Sequence, residues 1–154
     1  MKTIASFTIN HDLLDVGMYT SRVDGDVVTY DVRMKKPNAG EYLEDSGLHT
    51  FEHLFATFAR NSEYSDSVVY VGPMGCRTGF YVIFAGELNS EDILDVLREA
   101  ADFVLSYKGE IPGYSPRDCG NYLDNNLKLA QIYMDKFKRE VLDNPTPDRL
   151  TYPE

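Results

Sequence analysis

The sequence lacks the features that would place the protein in a membrane, outside the cell or on a nucleic acid. No apolar run approaches the length of a membrane span, and the first residues contain no apolar segment typical of a signal peptide. Two cysteines in unlike contexts do not indicate a disulfide framework. Basic residues are outnumbered, with 15 Lys and Arg against 25 Asp and Glu, so the net charge of −10 would repel nucleic acids and anionic membranes. We therefore expect a cytoplasmic protein that binds neither.

Internal repeats and low-complexity segments are also absent from the sequence. Its 154 residues, 43% of them hydrophobic, are enough to bury one substantial core. We predict a single domain over residues 1–154, with a polar tail from about residue 144 that includes a solvated Asp148-Arg149 pair.

Hydrophobic periodicity predicts both strands and helices. Short strands are predicted at residues 4–9, 18–23, 27–34, 67–71 and 80–85. Helices are predicted from residue 48 to about residue 60, from 89 or 90 to about 107, and from about 123 to 142. This order favours an α+β domain in which helices pack on a largely antiparallel sheet.

Three polar residues in the first part of the chain have ordinary interpretations when each is taken alone. The turn signal Asp24-Gly25 predicts a hairpin, and in the strand after it Arg33 lies on the less apolar side, toward solvent or a site. By itself Arg33 would be a surface arginine. Ser6 and His11, taken singly, favour a solvated or locally hydrogen-bonded role.

Two of the chain's three histidines, His49 and His53, lie four residues apart. In a helix they project from one face, one turn apart, where two imidazoles can bind one metal ion. Apolar residues at steps of three and four, such as Phe51 and Phe55, predict a separate face that packs into the core. The alternative is a chance pair of surface or core histidines. Glu52, which lies between them, favours a metal site.

Each cysteine has a chemical and a structural interpretation. A thiolate at Cys119, in a polar segment, could complete His49 and His53 into a three-ligand site with one open position, as in catalytic zinc centres. Its alternative is a small buried thiol. Cys76 lies between a glycine and an arginine, where a cation and a nearby metal would raise its thiolate fraction. Its alternative is a spacer in a tight turn.

Five segments that contain these residues follow one another along the chain. They are Ser6-Phe7 with His11 four residues beyond Phe7, Asp31-Val32-Arg33 before Pro37-Asn38, the run from His49 to Leu54, the run from Pro73 to Phe80, and the run from Cys119 to Tyr122. Together they resemble S-ribosylhomocysteine lyase, the LuxS family, of which the chain would be a divergent member. The His-x-x-Glu-His pattern alone also occurs in metallopeptidases, but five pieces in this order at compatible spacings are specific.

The resemblance implies a homodimer with two active sites at the subunit interface. It also implies one divalent metal per subunit, iron(II) in the native enzyme and often zinc or cobalt as isolated. The implied metal ligands are His49, His53 and Cys119. The implied acid–base residues are Cys76 and Glu52. The residues implied to bind the ribosyl and homocysteine parts of the substrate are Ser6, His11 and Arg33.

The implied reaction cleaves S-ribosylhomocysteine into homocysteine and dihydroxypentanedione, the precursor of a quorum-sensing signal. Opening the ribose exposes an aldehyde, and a metal acting as Lewis acid makes the neighbouring carbon more acidic. A thiolate can then move protons between carbons and so shift the carbonyl along the chain. Once the carbonyl is β to the carbon that bears sulfur, a base such as Glu52 can eliminate the homocysteine thiolate. No redox change is needed.

The chain departs from the family pattern just before the Pro-Met-Gly-Cys motif. The family commonly has Asp-Ile-Ser there, and this chain has Tyr70-Val71-Gly72, a difference that bears on how the amino-acid end of the substrate is held. Two alternative functions are an inverted-motif zinc peptidase, in which Glu52 activates a metal-bound water, and a metal-binding domain without turnover. The peptidase would need a third, usually acidic, ligand and has no use for Cys76.

Overall fold

The computed structural model describes residues 1–154 and contains one antiparallel sheet of four strands. In the spatial order β1-β2-β4-β3, the strands are β1 (Gly17–Asp24), β2 (Val27–Arg33), β3 (Val68–Pro73) and β4 (Gly79–Ala85). The helices are α1 (Asp45–Asn61), α2 (Ser90–Ser106), α3 (Leu127–Phe137) with a π-helical extension (Lys138–Leu142), and the short α4 (Pro147–Leu150). None of them is long and apolar enough to cross a membrane. The predicted α+β fold is confirmed.

Local sequence signals explain where several elements begin. The hairpin between β1 and β2 turns at Gly25, whose φ of 66° is readily adopted by glycine. Helix α2 begins at the predicted cap, where the Asn89 side chain accepts a hydrogen bond from the backbone N–H of Asp92 and the Asp92 carboxylate accepts one from the backbone N–H of Asn89. Helix α1 begins three residues earlier than predicted, at Asp45.

One predicted strand and the predicted start of the last helix are wrong. Residues 4–9 form no strand and contain only a 3-10 turn (Ala5–Phe7), because no strand pairs with them and Phe7 is 76% exposed. The last helix begins at Leu127 rather than near residue 123. The Asn126 side chain caps it by accepting a hydrogen bond from the backbone N–H of Leu129.

The helices α1, α2 and α3 pack on one face of the sheet, which we call the helix face. Its side chains are largely aromatic or β-branched and include Tyr30, Val32, Phe80, Val82 and Phe84, all of them buried in the main core. The ring centroids of Phe51 on α1 and Phe80 on β4 are 4.7 Å apart. Burial of this apolar surface is the main favourable contribution to folding.

The opposite face of the sheet, which we call the outer face, contains polar side chains and is partly covered by the C-terminal segment. Side chains alternate along a strand, so Asp31 and Arg33 lie on this face. Arg149 donates a hydrogen bond to the carbonyl of Val16, and Tyr152 stacks on Tyr19 with 4.8 Å between ring centroids. The prediction that Asp148-Arg149 is simply solvated is therefore wrong for Arg149.

Gly79 gives a stability prediction, because a side chain at this position has no room. A Cβ built there would lie 3.0 Å from the Cα of Arg33 and in conflict with the carbonyl of Val32 on the paired strand. Backbone cannot yield as a flexible side chain does, so we expect Gly79→Ala to lower the free energy of unfolding by about 1–3 kcal/mol. Gly75→Ala is the matched control, since a Cβ there has no atom within 4 Å. Urea unfolding measures both, and equal stability of the two variants would contradict the account.

Candidate active site

The two histidines and the cysteine predicted as metal ligands lie together. Single ligand atoms of His49, His53 and Cys119 all lie within 4.8 Å of one another. The histidines come from successive turns of α1, and Cys119 comes from the loop between α2 and α3. The four-residue spacing on a helix brings the imidazoles together, as the sequence indicated.

Both imidazoles are oriented by the same loop. The Nδ1 of His49 is 2.6 Å from the carbonyl oxygen of Asp124, and the Nδ1 of His53 is 2.7 Å from that of Pro112. A carbonyl can only accept, so each Nδ1 carries the proton and each Nε2 is left with a free lone pair. This hydrogen-bonding pattern is typical of metal-bound histidine, in which the second nitrogen is fixed by a backbone carbonyl.

The donor set fits a divalent metal. The Sγ of Cys119 lies 3.4 Å from the Nε2 of His49. Two such ligands of one tetrahedral ion, at typical zinc bond lengths, would be about 3.5 Å apart. Two imidazole nitrogens and one thiolate leave one coordination position for water or substrate, which is the arrangement of catalytic rather than structural centres.

Glu52 lies on the same helix, directly before His53. Its side chain is half-buried and makes no hydrogen bond or ion pair within the chain. A carboxylate without an internal partner beside a metal group can accept a proton from a bound molecule.

The remaining residues predicted for the site line one pocket. It contains the predicted catalytic thiol together with all three predicted substrate-binding residues, and its lining is Ser6, Phe7, His11, Arg33, Pro73, Met74, Gly75, Cys76 and Tyr81. The 3-10 turn that replaces the first predicted strand delivers Ser6 and Phe7 to this pocket. His11 is anchored in its loop, with its Nδ1 2.9 Å from the carbonyl of Ile9.

Arg33 is buried beneath this pocket and held by a bidentate ion pair. Its Nε and Nη2 donate to the two carboxylate oxygens of Asp31, at 3.1 and 2.6 Å. Its Nη1 donates to the hydroxyl of Thr78 at 2.7 Å and lies 4.0 Å from the Sγ of Cys76. Burial lowers the pKa of Arg33, but the hydrogen bond and charge of Asp31 raise it by more, so the guanidinium is always charged.

The thiol of Cys76 is exposed at the tip of the β3–β4 hairpin. Its sulfur lies 3.1 Å from the hydroxyl of Thr78, which therefore contacts both Cys76 and Arg33. A charged guanidinium and a hydroxyl group therefore both lie next to the sulfur. The surroundings of Cys76 are those of a reactive cysteine rather than of a packed core residue.

Sequence reasoning missed three residues of this network, namely Asp31, Thr78 and Tyr152. A signal existed for Asp31, which shares a strand face with Arg33 at a spacing of two. Thr78 follows Cys76 closely, but nothing in its context indicated a contact with Arg33. Tyr152 is 121 residues from Asp31, whose carboxylate it contacts, and no local pattern reports such a contact.

The metal group and the thiol pocket lie on different sides of the sheet. Helix α1, which carries His49 and His53, packs on the helix face through Phe51. Arg33 and Tyr81, which line the thiol pocket, belong to the outer face. Neither Glu52 nor any of the three candidate ligands lines that pocket. Within one subunit, therefore, the metal group and the thiol do not line the same pocket.

Within the segment Tyr70-Val71-Gly72, the size of one side chain limits the other. A Cβ at Gly72 would lie only 2.5 Å from two ring carbons of Tyr70, so the Tyr70 ring occupies the space that a side chain at residue 72 would need. Tyr70 is half exposed and lines a groove that shares Ser6 and Tyr81 with the thiol pocket. Tyr70 therefore belongs to the surface next to the pocket, and neither Tyr70 nor Gly72 lines the pocket itself.

The chain is similar to known proteins over nearly its whole length. Residues 4–148 match the family model for S-ribosylhomocysteinase (LuxS). The chain is 52% identical to S-ribosylhomocysteine lyase of Clostridium acetobutylicum, with both chains covered in full. It is 49% identical to the lyase of Clostridium beijerinckii, with 99% of each chain covered, and 49% identical to that of Phocaeicola vulgatus, with 99% of this chain and 98% of the relative covered.

Proposed function

This chain belongs to the S-ribosylhomocysteinase (LuxS) family, and we propose that it cleaves S-ribosylhomocysteine into homocysteine and dihydroxypentanedione, the precursor of a quorum-sensing signal. The observation that carries the proposal is the group of His49, His53 and Cys119, with donors placed for one metal and an open position, in a chain that matches this family over nearly its whole length. We assign the chemistry to one lyase domain over residues 1–154. The zinc peptidase is not favoured, because the third candidate ligand is a cysteine and a second cysteine lines the other pocket.

The family is metal-dependent, and the metal would be held by His49, His53 and Cys119. We propose iron(II) as the native ion, with zinc or cobalt able to replace it, since imidazole and thiolate donors suit all three. When bound, the metal supplies Lewis acidity, which makes carbon next to a carbonyl more acidic.

Cys76 would move the protons that shift the carbonyl. Once the ribose is open, the Cys76 thiolate removes a proton from the second carbon and returns one to the first, which moves the carbonyl from the first carbon to the second. A repeat of the same transfer moves it to the third. The Arg33 guanidinium lies 4.0 Å from the Cys76 sulfur, and Ser6 and His11 line the same pocket, where they would hold the substrate's hydroxyl and amino-acid groups.

Glu52 would complete the reaction. As base it removes the proton from the fourth carbon, the electron pair forms a double bond to the fifth, and the carbon–sulfur bond breaks. Homocysteine leaves as thiolate and takes up a proton, while the enol that remains becomes dihydroxypentanedione by tautomerisation. Atoms and electrons balance without an oxidant or reductant, and the unpaired, half-buried carboxylate is suited to this role.

We further propose that the enzyme is a homodimer in which each active site combines Glu52 and the metal group of one subunit with the thiol pocket of the other. The argument is the separation by the sheet: both groups are needed for one substrate, and one subunit holds them on different sides. A two-fold axis that brings the metal group of one subunit to the thiol pocket of the other also does the reverse, which gives two equivalent sites. A cytoplasmic location follows as part of the proposal, because both free thiols must stay reduced.

Mixing two inactive variants tests the shared site. Glu52→Gln and Cys76→Ala each inactivate every site of their own homodimer, but a mixed dimer has one site with both changes and one with neither. Co-expression of equal amounts should therefore restore about one quarter of the wild-type activity, since half of the dimers are mixed and half of their sites are intact. Homocysteine release measures the recovery.

The matched control pairs Glu52→Gln with His53→Ala, two changes in the same group of residues. Every site of that mixed dimer carries one of the two changes, so no activity should return. Equal recovery in both mixtures, or none in either, would show that the site is not divided between subunits in this way.

The function itself is tested by a thiol assay on the purified, metal-loaded chain with S-ribosylhomocysteine. We expect catalytic release of homocysteine, and none from a peptide substrate. A chain that binds its metal and is dimeric but releases no thiol would support the domain without turnover instead.

A further inference from the structure

The C-terminal segment reaches the buried ion pair beneath the thiol pocket. The hydroxyl of Tyr152 donates to the Oδ2 of Asp31 at 2.7 Å. Its ring stacks on Tyr19 with an interplanar angle of 22°, and Arg149 fixes the segment by an ion pair to Asp15 at 3.2 Å. Tyr152 is thus held by packing and directed at one carboxylate oxygen.

That oxygen also binds Arg33. The Oδ2 of Asp31 accepts from the Nη2 of Arg33 at 2.6 Å, and Asp31 is completely buried. The guanidinium continues the chain of contacts to the hydroxyl of Thr78 and to the sulfur of Cys76, 4.0 Å away. The orientation of the Asp31 carboxylate therefore decides where the charge of Arg33 lies relative to the thiol.

Tyr152 can act only as a donor in this arrangement. Burial and the charge of Asp31 raise the pKa of its hydroxyl, so the proton stays on Tyr152 over the whole range in which the protein works. The bidentate pair fixes Asp31 and Arg33 relative to each other, and the bond from Tyr152 ties this pair to the stacked ring of the C-terminal segment. Without that bond the two side chains can shift together, and the guanidinium then moves relative to Thr78 and Cys76.

We propose that Tyr152 is a positioning residue for the lyase site: by holding Asp31 it fixes the Arg33 guanidinium against Thr78 and Cys76. The inference rests on the proposed function only for its effect on turnover. The effect on Cys76 itself is independent of any substrate. The C-terminal segment is on this account a part of the thiol pocket's supporting structure and not a polar tail.

Tyr152→Phe removes the hydroxyl and keeps the stacked ring. We expect kcat/KM for homocysteine release to fall about tenfold, the loss expected for one hydrogen bond to a buried charged group. The rate at which iodoacetamide alkylates Cys76, followed by peptide mass spectrometry on metal-loaded protein, should fall in the same direction. Tyr107→Phe is the matched control, because it removes a hydroxyl that donates to the carbonyl of Glu110 at 2.6 Å, outside the pocket, and should change neither quantity.

A test for coupling separates positioning from a loss of stability. In an Arg33→Lys background the guanidinium is gone, so adding Tyr152→Phe should not slow alkylation of Cys76 further. Asp31→Asn keeps the shape of the side chain and should also slow alkylation of Cys76. This variant replaces Tyr152→Phe in the test if Tyr152→Phe does not fold. Unchanged alkylation in Tyr152→Phe, or an equal further loss in the Arg33→Lys background, would overturn the proposal. If the wild-type chain releases no homocysteine, the proposed lyase function fails, and the alkylation rates alone test whether Tyr152 positions Arg33.

Discussion

Cys76→Ala is expected to release almost no homocysteine from S-ribosylhomocysteine while it keeps its metal, the proposed dimeric state and its stability. The thiol is exposed in a hairpin and is not part of the main hydrophobic core, so its removal costs little stability. It is also the only titratable side chain at the tip of that hairpin besides Arg77. A general acid–base residue contributes roughly a hundredfold to ten-thousandfold to the rate, and this one acts in two successive transfers.

The measurement is a thiol assay over several enzyme concentrations, together with metal analysis and urea unfolding of the same preparation. Cys76→Ser gives a matched variant, because a hydroxyl fills the space but does not ionise near neutral pH. Both variants should be inactive, folded and metal-loaded. Turnover of Cys76→Ala near the wild-type rate would mean that the thiol is structural and that the proposed proton transfers are wrong.

His53→Ala is expected to lose its metal, and with it all lyase activity. The change removes one of three ligands and also the hydrogen bond from the Nδ1 of His53 to the carbonyl of Pro112, which orients the loop that carries Cys119. Removing a hydrogen bond to a ligand alone costs about tenfold to a hundredfold in metal affinity, so losing the ligand itself should cost more than that.

His11→Ala provides the control for this variant, since His11 is the third histidine of the chain and lies in the thiol pocket. After dialysis against a weak chelator, His11→Ala should keep one metal per subunit and His53→Ala should keep almost none. Full occupancy of His53→Ala would contradict the assignment of the ligands.

Much of the fold could be predicted because its signals are local. Alternation along β2, the turn at Gly25 and the cap at Asn89 each act within a few residues, and each was confirmed. The strand predicted at residues 4–9 was wrong because a strand requires a neighbour to pair with, which an apolar run cannot report. The grouping of His49 with His53 was likewise local, a consequence of helical spacing.

The parts that could not be predicted depend on contacts between distant segments. Tyr152 reaches Asp31 across 121 residues, and Arg149 reaches Val16 across 133, so neither contact leaves a periodic signal near either residue. The resemblance gave the role of Arg33, but not its burial against Asp31 and Thr78. The contact with Thr78 depends on the pairing of β2 with β4, which lie far apart in the sequence. The position of the thiol pocket on the outer face follows from strand register, which the sequence did not determine.

The most direct test of the proposed reaction follows substrate carbon. S-ribosylhomocysteine labelled with carbon-13 throughout its ribose is incubated with the metal-loaded wild-type chain and observed by NMR while homocysteine release is measured in the same sample. The account predicts loss of the ribose signals, new ketone carbonyl signals, and release of one homocysteine for each dihydroxypentanedione formed. Ribose signals that persist in the presence of the metal-loaded chain, with no homocysteine released, would contradict it.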